Sequence, residues 1–291
     1  MLAIVLPKGS LEKQVLELFS AADLGVVRGG ERDYHARIDD PRIAKVRFLR
    51  PQEIPTYVEQ GIFDLGISGR DWVSETGADV VSLGEIGGGR AGEARVSVVL
   101  AVPKESPWES VTDLPEGVRV STEMPETARR FFAEHGVKAK VFTSHGATEA
   151  KIPDIVDAIV DLTETGSSLR KAGLKVIATL LTSRTELLAN RESYEDPTRR
   201  AAMDDLVVLL QGALRARGQV LLKLNVPTDQ LEAVLAELPA MASPTVMTLA
   251  VDGMRALETV VPKRGVNRLI PALKAAGASD ILELPISKIV E

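Results

Sequence analysis

The run from Ile155 to Leu169 constrains the fold of this chain more than any other stretch. Ile155-Val156-Asp157-Ala158-Ile159-Val160-Asp161-Leu162 is apolar and β-branched, which suits a strand buried in a sheet. Thr163-Glu164-Thr165-Gly166-Ser167-Ser168 follows as a hydroxyl-rich loop with one glycine, and Leu169-Arg170-Lys171 opens a helix. A strand that feeds a helix through so short a loop belongs to an α/β fold. The loop also has a chemistry. A helix N-terminus offers unpaired N–H groups and partial positive charge, and Thr165, Ser167 and Ser168 add hydroxyl donors, so the loop can hold a phosphate. The same pattern fits a plain strand, a polar turn and a capped helix. It is not a P-loop, because no Gly-Lys-Ser/Thr follows a glycine-rich run.

Asp157 and Asp161 flank the apolar core of the strand, and a spacing of four is two β periods, so both side chains point to one face. Two aspartates in an apolar strand are costly to bury unless donors or cations meet them. Carboxylates there can hold sugar hydroxyls or a magnesium ion, and a phosphorylated sugar presents both demands at one place.

Short apolar strands alternate with helical patterns along most of the chain, as in a mostly parallel sheet. Residues 2–6 read as a strand, and Ser10 can cap a helix that presents Leu11, Val15, Leu18 and Phe19. Residues 46–49 and 65–68 are further strands, and the glycine-rich residues 84–92 mark a crossing between lobes. A second α/β group holds strands at 96–102, 118–122, 139–142 and 155–162. A polar loop at 190–197 precedes a long amphipathic helix that starts at Asp196 or Thr198 and presents Leu206, Leu209, Leu210, Ala213 and Leu214. From Gly218 the order becomes βαββαβ, which is ferredoxin-like. The expected division is residues 1–94 with 180–217 as one lobe, 95–179 as a second lobe carrying the loop, and 218–291 as a separate module.

Composition excludes several classes. The 291 residues suffice for roughly two to three domains. A net charge of −6, no basic block and 4% aromatic residues argue against nucleic acid as a partner. No apolar run reaches the roughly 18 residues of a membrane span. Residues 1–7 carry no basic leader, so a cytoplasmic location is expected. The absence of cysteine removes disulfides, thiolate catalysis and cysteine–zinc sites together. His35, His135 and His145 share no metal-ligand spacing, and His145 reads as a solvated turn residue.

Other positions stand where ligands gather, at the carboxyl ends of strands. Lys8, in Pro7-Lys8-Gly9-Ser10-Leu11, can meet an anion or simply lie in solvent. Arg50 can clamp a phosphate with two parallel donors, or sit on the surface. Asp71 can accept from a ligand amino group or cap a helix, and Thr122 reads first as a helix cap.

Together these pieces resemble the long, allosteric form of the ATP phosphoribosyltransferase family of histidine biosynthesis. The resemblance rests on Pro7-Lys8-Gly9-Ser10-Leu11, on Phe48-Leu49-Arg50-Pro51, on Asp64-Leu65-Gly66-Ile67-Ser68-Gly69-Arg70-Asp71, and above all on Asp157 to Leu169. Ser243-Pro244-Thr245, Gly277-Ala278-Ser279-Asp280 and Leu284-Pro285-Ile286 look like the regulatory domain of the long enzymes. Ser10 stands where many members carry arginine, Ser168 replaces a threonine, Thr148 replaces a glutamate with Glu149 beside it, and Asp154 replaces a glycine.

The resemblance implies an α/β, two-lobed, periplasmic-binding-protein-like catalytic region with a ferredoxin-like, ACT-like domain at the C-terminus. It implies transfer of phosphoribosyl from phosphoribosyl pyrophosphate to N1 of the adenine of ATP, with Mg2+ as cofactor and histidine as feedback inhibitor. Lys8 and Asp161 would be catalytic, and Asp161 would also meet the metal. Lys8, Arg50, Asp71, Thr122, Asp157, Asp161, Thr163, Glu164, Thr165, Gly166, Ser167, Ser168 and Leu169 would bind substrate. Asn225, Thr245 and Ser279 would bind histidine, in a homo-oligomer between dimer and hexamer. Two rivals remain open from the residues alone: a two-lobed binding module, and a base-salvage phosphoribosyltransferase.

Overall fold

The computed structural model describes residues 1–87, 96–239 and 244–290. The first six strands, β1 (Leu2–Pro7), β2 (Val26–Arg28), β3 (His35–Ile38), β4 (Ile43–Leu49), β5 (Leu65–Gly69) and β6 (Val80–Glu85), form one sheet. The next five, β7 (Val96–Pro103), β8 (Arg119–Thr122), β9 (Lys140–Thr143), β10 (Ala158–Thr163) and β11 (Leu174–Ser183), form a second. Then β12 (Thr185–Asn190) returns to the first sheet, which runs β2-β3-β4-β1-β5-β12-β6. The second sheet runs β11-β7-β10-β8-β9.

The chain therefore changes sheet twice, which makes the two lobes. One crossing lies between Glu85 and Val96, the other at Arg184. Of the glycine-rich stretch expected at the first crossing, residues 88–92 lie outside the described residues. At the start of the first crossing the Ile86 N–H donates to the carbonyl of Thr185, the first residue of β12, at 2.9 Å. Gly87 permits this approach, since a Cβ there would fall 2.7 Å from the Thr185 Cβ.

Central β1 is parallel to β4 and β5 and buried on both faces, which explains its unbroken apolar sequence. Helix α1 (Glu12–Ala21) covers the sheet with Val15, Leu18 and Phe19. It starts without a side-chain cap from Ser10; the Glu12 carboxylate instead accepts from the Gly9 N–H at 3.3 Å. Helices α2 (Ile54–Glu59) and α3 (Arg70–Thr76) follow β4 and β5. In the second lobe α4 (Pro125–Glu134) packs Ala128, Phe131 and Phe132 against Val98, Leu100, Val120 and Val160. On the other side Leu169, from α5 (Ser167–Lys171), packs with Val99, Ala101, Ile159 and Leu174. Truncating a fully buried member such as Leu100 or Phe132 to alanine costs about 2–5 kcal/mol.

Several elements differ from the sequence expectation. Strand β10 begins at Ala158, because the Lys151 carbonyl holds the Ile155 and Val156 N–H groups in a preceding turn. Strands β11 and β12 run through a stretch that carries no clean alternation. Part of the polar 190–197 stretch forms a short helix, α6 (Arg191–Glu195), capped by the Asn190 side chain. The long helix α7 runs Pro197–Ala216.

The chain divides into compact units Met1–Val207 and Val208–Glu291. In the second unit β13 (Gln219–Pro227), α8 (Leu231–Glu237), β14 (Thr245–Thr248), β15 (Met254–Pro262), α9 (Val266–Ala275) and β16 (Ser279–Pro285) follow in order. Its antiparallel sheet runs β14-β15-β13-β16, the ferredoxin-like arrangement. Val220, Leu222, Leu224 and Val226 alternate inward to meet Val234, Val266 and Leu273.

Candidate active site

The hydroxyl loop closes on itself at the carboxyl end of β10. Thr163 Oγ1 accepts from the Gly166 N–H at 2.8 Å, and Gly166 takes φ +69°, a left-handed conformation that suits glycine. Glu164, Thr165, Ser167 and Ser168 are left exposed around this turn, while Gly166 is buried. Leu169 is 2% exposed and belongs to the core, so its side chain anchors α5 and only its backbone can face a ligand.

Asp161 lies two residues before Thr163 on β10 and is half-buried. Burial pushes its carboxyl above the ordinary value, the Leu162 N–H pulls it back, and the nearby charges of Glu149 and Glu123 raise it further. A carboxylate in that position calls for a cation or strong donors. Among the described residues no group of three or more His, Cys, Asp or Glu is placed to hold a metal. A site shared between Asp161 and phosphate oxygens still suits magnesium, which keeps few protein ligands at such sites.

Asp157 has a different fate. It precedes β10, at the opposite end of the strand from the loop, and its carboxylate is taken by Arg119: Nη2 to Oδ1 at 2.7 Å, Nε to Oδ2 at 3.1 Å. The Arg119 N–H adds a third bond at 2.8 Å, and these contacts hold Asp157 below the usual carboxylate range. An even spacing along a strand sets the face a side chain takes and leaves open which end of the sheet it occupies.

In the first lobe Lys8 and Arg50 come together. The Lys8 N–H donates to the Leu49 carbonyl at 2.7 Å, and a Cβ on Gly9 would lie 3.3 Å from Arg50 Nη1. Lys8 Nζ pairs with Glu12 at 3.0 Å and donates to the Glu31 carbonyl at 2.6 Å. Arg28, on β2, reaches the same Glu12 at 2.6 Å and lies over the Phe48 ring. Glu12 and Arg28 were not singled out from the sequence, because nothing in their spacing joins β2 to α1. The i,i+4 spacing of Lys8 and Glu12 was the one legible signal.

Asp71 is 4% exposed, in the first turn of α3. Burial raises its carboxyl pKa, against hydrogen bonds from Ser183 and from the Asp71 and Trp72 N–H groups. Gly69, not Asp71, is the N-cap of that helix. Thr122 is 1% exposed, and its Oγ1 accepts from the Met124 N–H at 2.9 Å at the entry to α4. In the C-terminal unit Asn225 and Ser279 pair across β13 and β16, and Asn225 donates to Asp280 at 3.0 Å. Thr245 lies on edge strand β14, separated from β13 by β15. Ser243 lies outside the described residues, and His35, His135 and His145 are exposed.

Comparison with known proteins bears on the whole chain. The family described as ATP phosphoribosyltransferase matches residues 50–212, and the one described as HisG, C-terminal domain matches residues 216–288. An ATP phosphoribosyltransferase from Pelotomaculum thermopropionicum is 47% identical over 290 residues, covering 99% of each chain. One from Desulforudis audaxviator is 46% identical over 291 residues, again covering 99% of each. Among solved structures, the ATP phosphoribosyl transferase (HisG:HisZ) complex from Thermotoga maritima aligns with a TM-score of 0.62 at 26% identity, covering 72% of this chain and 97% of that one.

Proposed function

Since the chain belongs to the ATP phosphoribosyltransferase family, enzymes of the first step of histidine biosynthesis, we propose that the Thr163–Leu169 loop holds the 5′-phosphate of phosphoribosyl pyrophosphate. The observation that carries this reading is the closed turn itself. With the Gly166 N–H satisfied by Thr163, the hydroxyls of Thr165, Ser167 and Ser168 remain exposed at the carboxyl end of β10. Full-length relatedness to transferases decides against the binding-module and base-salvage readings.

In the reaction, adenine N1 attacks the ribose C1′ from the face opposite the pyrophosphate and inverts that carbon. The barrier is charge separation, because the sugar becomes oxocarbenium-like as pyrophosphate leaves. Asp161 faces the developing positive charge, which its low-dielectric setting strengthens. Lys8 and Arg50 offer positive charge to phosphates from the first lobe, with Glu12 holding Lys8 in place until a stronger anion arrives. Asp71 and Thr122 serve the nucleotide. Asp161 would hold a magnesium ion, which would supply positive charge to the leaving pyrophosphate. Two sheet crossings, tied to each other at Ile86 and Thr185, suit lobe closure, which orients both substrates and excludes water.

The same reading makes the enzyme cytoplasmic, homo-oligomeric between dimer and hexamer, and inhibited by histidine at Asn225, Thr245 and Ser279. No described helix is long and apolar enough to cross a membrane. Thr245 lies two strands from Asn225 and three from Ser279 in one copy, an arrangement that suits a histidine site completed by a neighbouring copy. The test of the loop is Thr165→Ala. A lost charge-assisted hydrogen bond contributes roughly 1.5–3 kcal/mol, so affinity for phosphoribosyl pyrophosphate should fall about tenfold or more with little change in Tm. Unchanged affinity would remove the loop from the site.

A further inference from the structure

Lys151 closes a short 310 turn, Thr148–Lys151, and its side chain is half-buried. Its ammonium donates to Ser144 Oγ at 2.5 Å and to Ser121 Oγ at 3.3 Å, and both serines are buried. Ser144 in turn contacts Thr148 Oγ1 at 2.9 Å and the Gly146 carbonyl at 3.2 Å. An ammonium has three donors and these partners use two. Among the described residues no carboxylate lies within 4.0 Å of it, whereas Lys8, Lys175 and Lys223 are each ion-paired. A half-buried cation held only by hydroxyls keeps a donor and a full charge for something else.

Its place says what that is. Ser121 is the penultimate residue of β8 and Ser144 directly follows β9, so Lys151 stands at the carboxyl ends of two parallel strands. Ligands of open α/β sheets gather there. Ser121 pairs in register with Ile159, and Ile159 packs with Leu169 of α5 and with Ile152, the residue after Lys151. Lys151 thus shares both the face and the end of the sheet with the hydroxyl loop and with Asp161, two residues beyond Ile159. Asp161, Glu149 and Glu123 make the surroundings acidic, and a polyphosphate entering them needs a cation from the protein.

We propose that Lys151 binds a phosphate oxygen of the substrates, either of the pyrophosphate on the sugar donor or of the nucleotide triphosphate. This rests on the reading of the Thr163–Leu169 loop as the phosphoribosyl site. The experiment is calorimetric titration of the full chain with pyrophosphate and, separately, with ATP. Lys151→Gln keeps hydrogen bonding to Ser121 and Ser144 without the charge, and should weaken one ligand at least about tenfold. Its remaining affinity should also depend less steeply on salt, which a purely structural change would not produce. Loss for pyrophosphate assigns the sugar donor, and loss for ATP alone assigns the nucleotide. Lys151→Arg should recover part of the affinity. Lys138→Gln, which removes a charge from an exposed ion pair outside the site, should retain it. Wild-type affinity of Lys151→Gln for both ligands, or an equal loss in Lys138→Gln, would overturn the assignment. If the loop reading alone were at fault, Thr165→Ala would bind phosphoribosyl pyrophosphate normally while Lys151→Gln still lost its phosphate ligand.

Discussion

Asp71 and Ser183, 112 residues apart in the chain, hold each other at the point where β11 leaves the second lobe. The Ser183 hydroxyl donates to Asp71 Oδ1, and the Asp71 N–H donates back to Ser183 Oγ at 3.1 Å. Gly69 makes room: a Cβ there would lie 2.0 Å from Asp71 Oδ1. Asp71 is thereby tied to the crossing between lobes at Ser183.

That carboxylate gives a pH signature. Burial holds Asp71 above its ordinary value of 3.8, so the folded chain binds that proton more tightly than the unfolded one. The stability this contributes is full below 3.8 and is lost as pH rises through the raised folded value. Asp71→Asn is neutral throughout and should lack that slope. Thermal melts across the mildly acidic range should show wild type losing Tm relative to Asp71→Asn as pH rises. A constant difference between the two would refute the linkage.

Asp157→Asn should act on stability and not on substrate. Arg119 depresses the Asp157 carboxyl below 3.8, so its contribution is present above that value and lost as pH falls through the folded one. The variant should melt lower than wild type at neutral pH, with the gap closing in acid. KM for phosphoribosyl pyrophosphate should stay at the wild-type level; a large rise would put Asp157 back among the ligands.

Glu75 caps a helix of the other lobe. From α3 its two carboxylate oxygens accept from the Glu126 and Thr127 N–H groups of α4 at 2.9 and 2.8 Å. Trp72 of α3 also packs into the second lobe's core. Loss of a helix cap costs about 0.5–2 kcal/mol, so Glu75→Ala should lower the denaturant midpoint with the m-value unchanged. An unaltered midpoint would show the contact contributes nothing to folding.

Thr163→Val keeps shape and removes the acceptor that closes the loop on Gly166. Affinity for phosphoribosyl pyrophosphate should fall several-fold, about 1 kcal/mol for one neutral hydrogen bond, while affinity for ATP alone is unchanged. Equal losses for both substrates would argue against a site local to the loop.

Thr245→Ala should leave catalysis intact and weaken inhibition by histidine, since Thr245 lies exposed on β14 in the C-terminal unit. Histidine must bind the inhibited arrangement more tightly than the active one for any shift to occur. Calorimetry of the intact protein with histidine checks the premise, and no binding would end the regulatory claim.

Much of the chain was legible because period and local chemistry are local properties. The Thr163–Ser168 loop, the double-sided burial of β1 and the βαββαβ order follow from residues near in sequence, whose side-chain direction the backbone fixes. Strand starts were less legible: Ile155 and Val156 have strand-forming side chains but spend their N–H groups on the Lys151 carbonyl. Partnership was not legible at all. Asp157 meets Arg119, Asp71 meets Ser183 and Lys8 shares Glu12 with Arg28 only because β10 lies beside β8, β11 returns beneath α3, and β2 reaches the edge where α1 begins. Sequence by itself determined which groups this protein has to offer and on which kind of element each sits. Tertiary structure decided which are spent and which stay free, because an ion pair or a buried hydrogen bond depends on distances of a few ångströms between segments that sequence spacing leaves unconstrained.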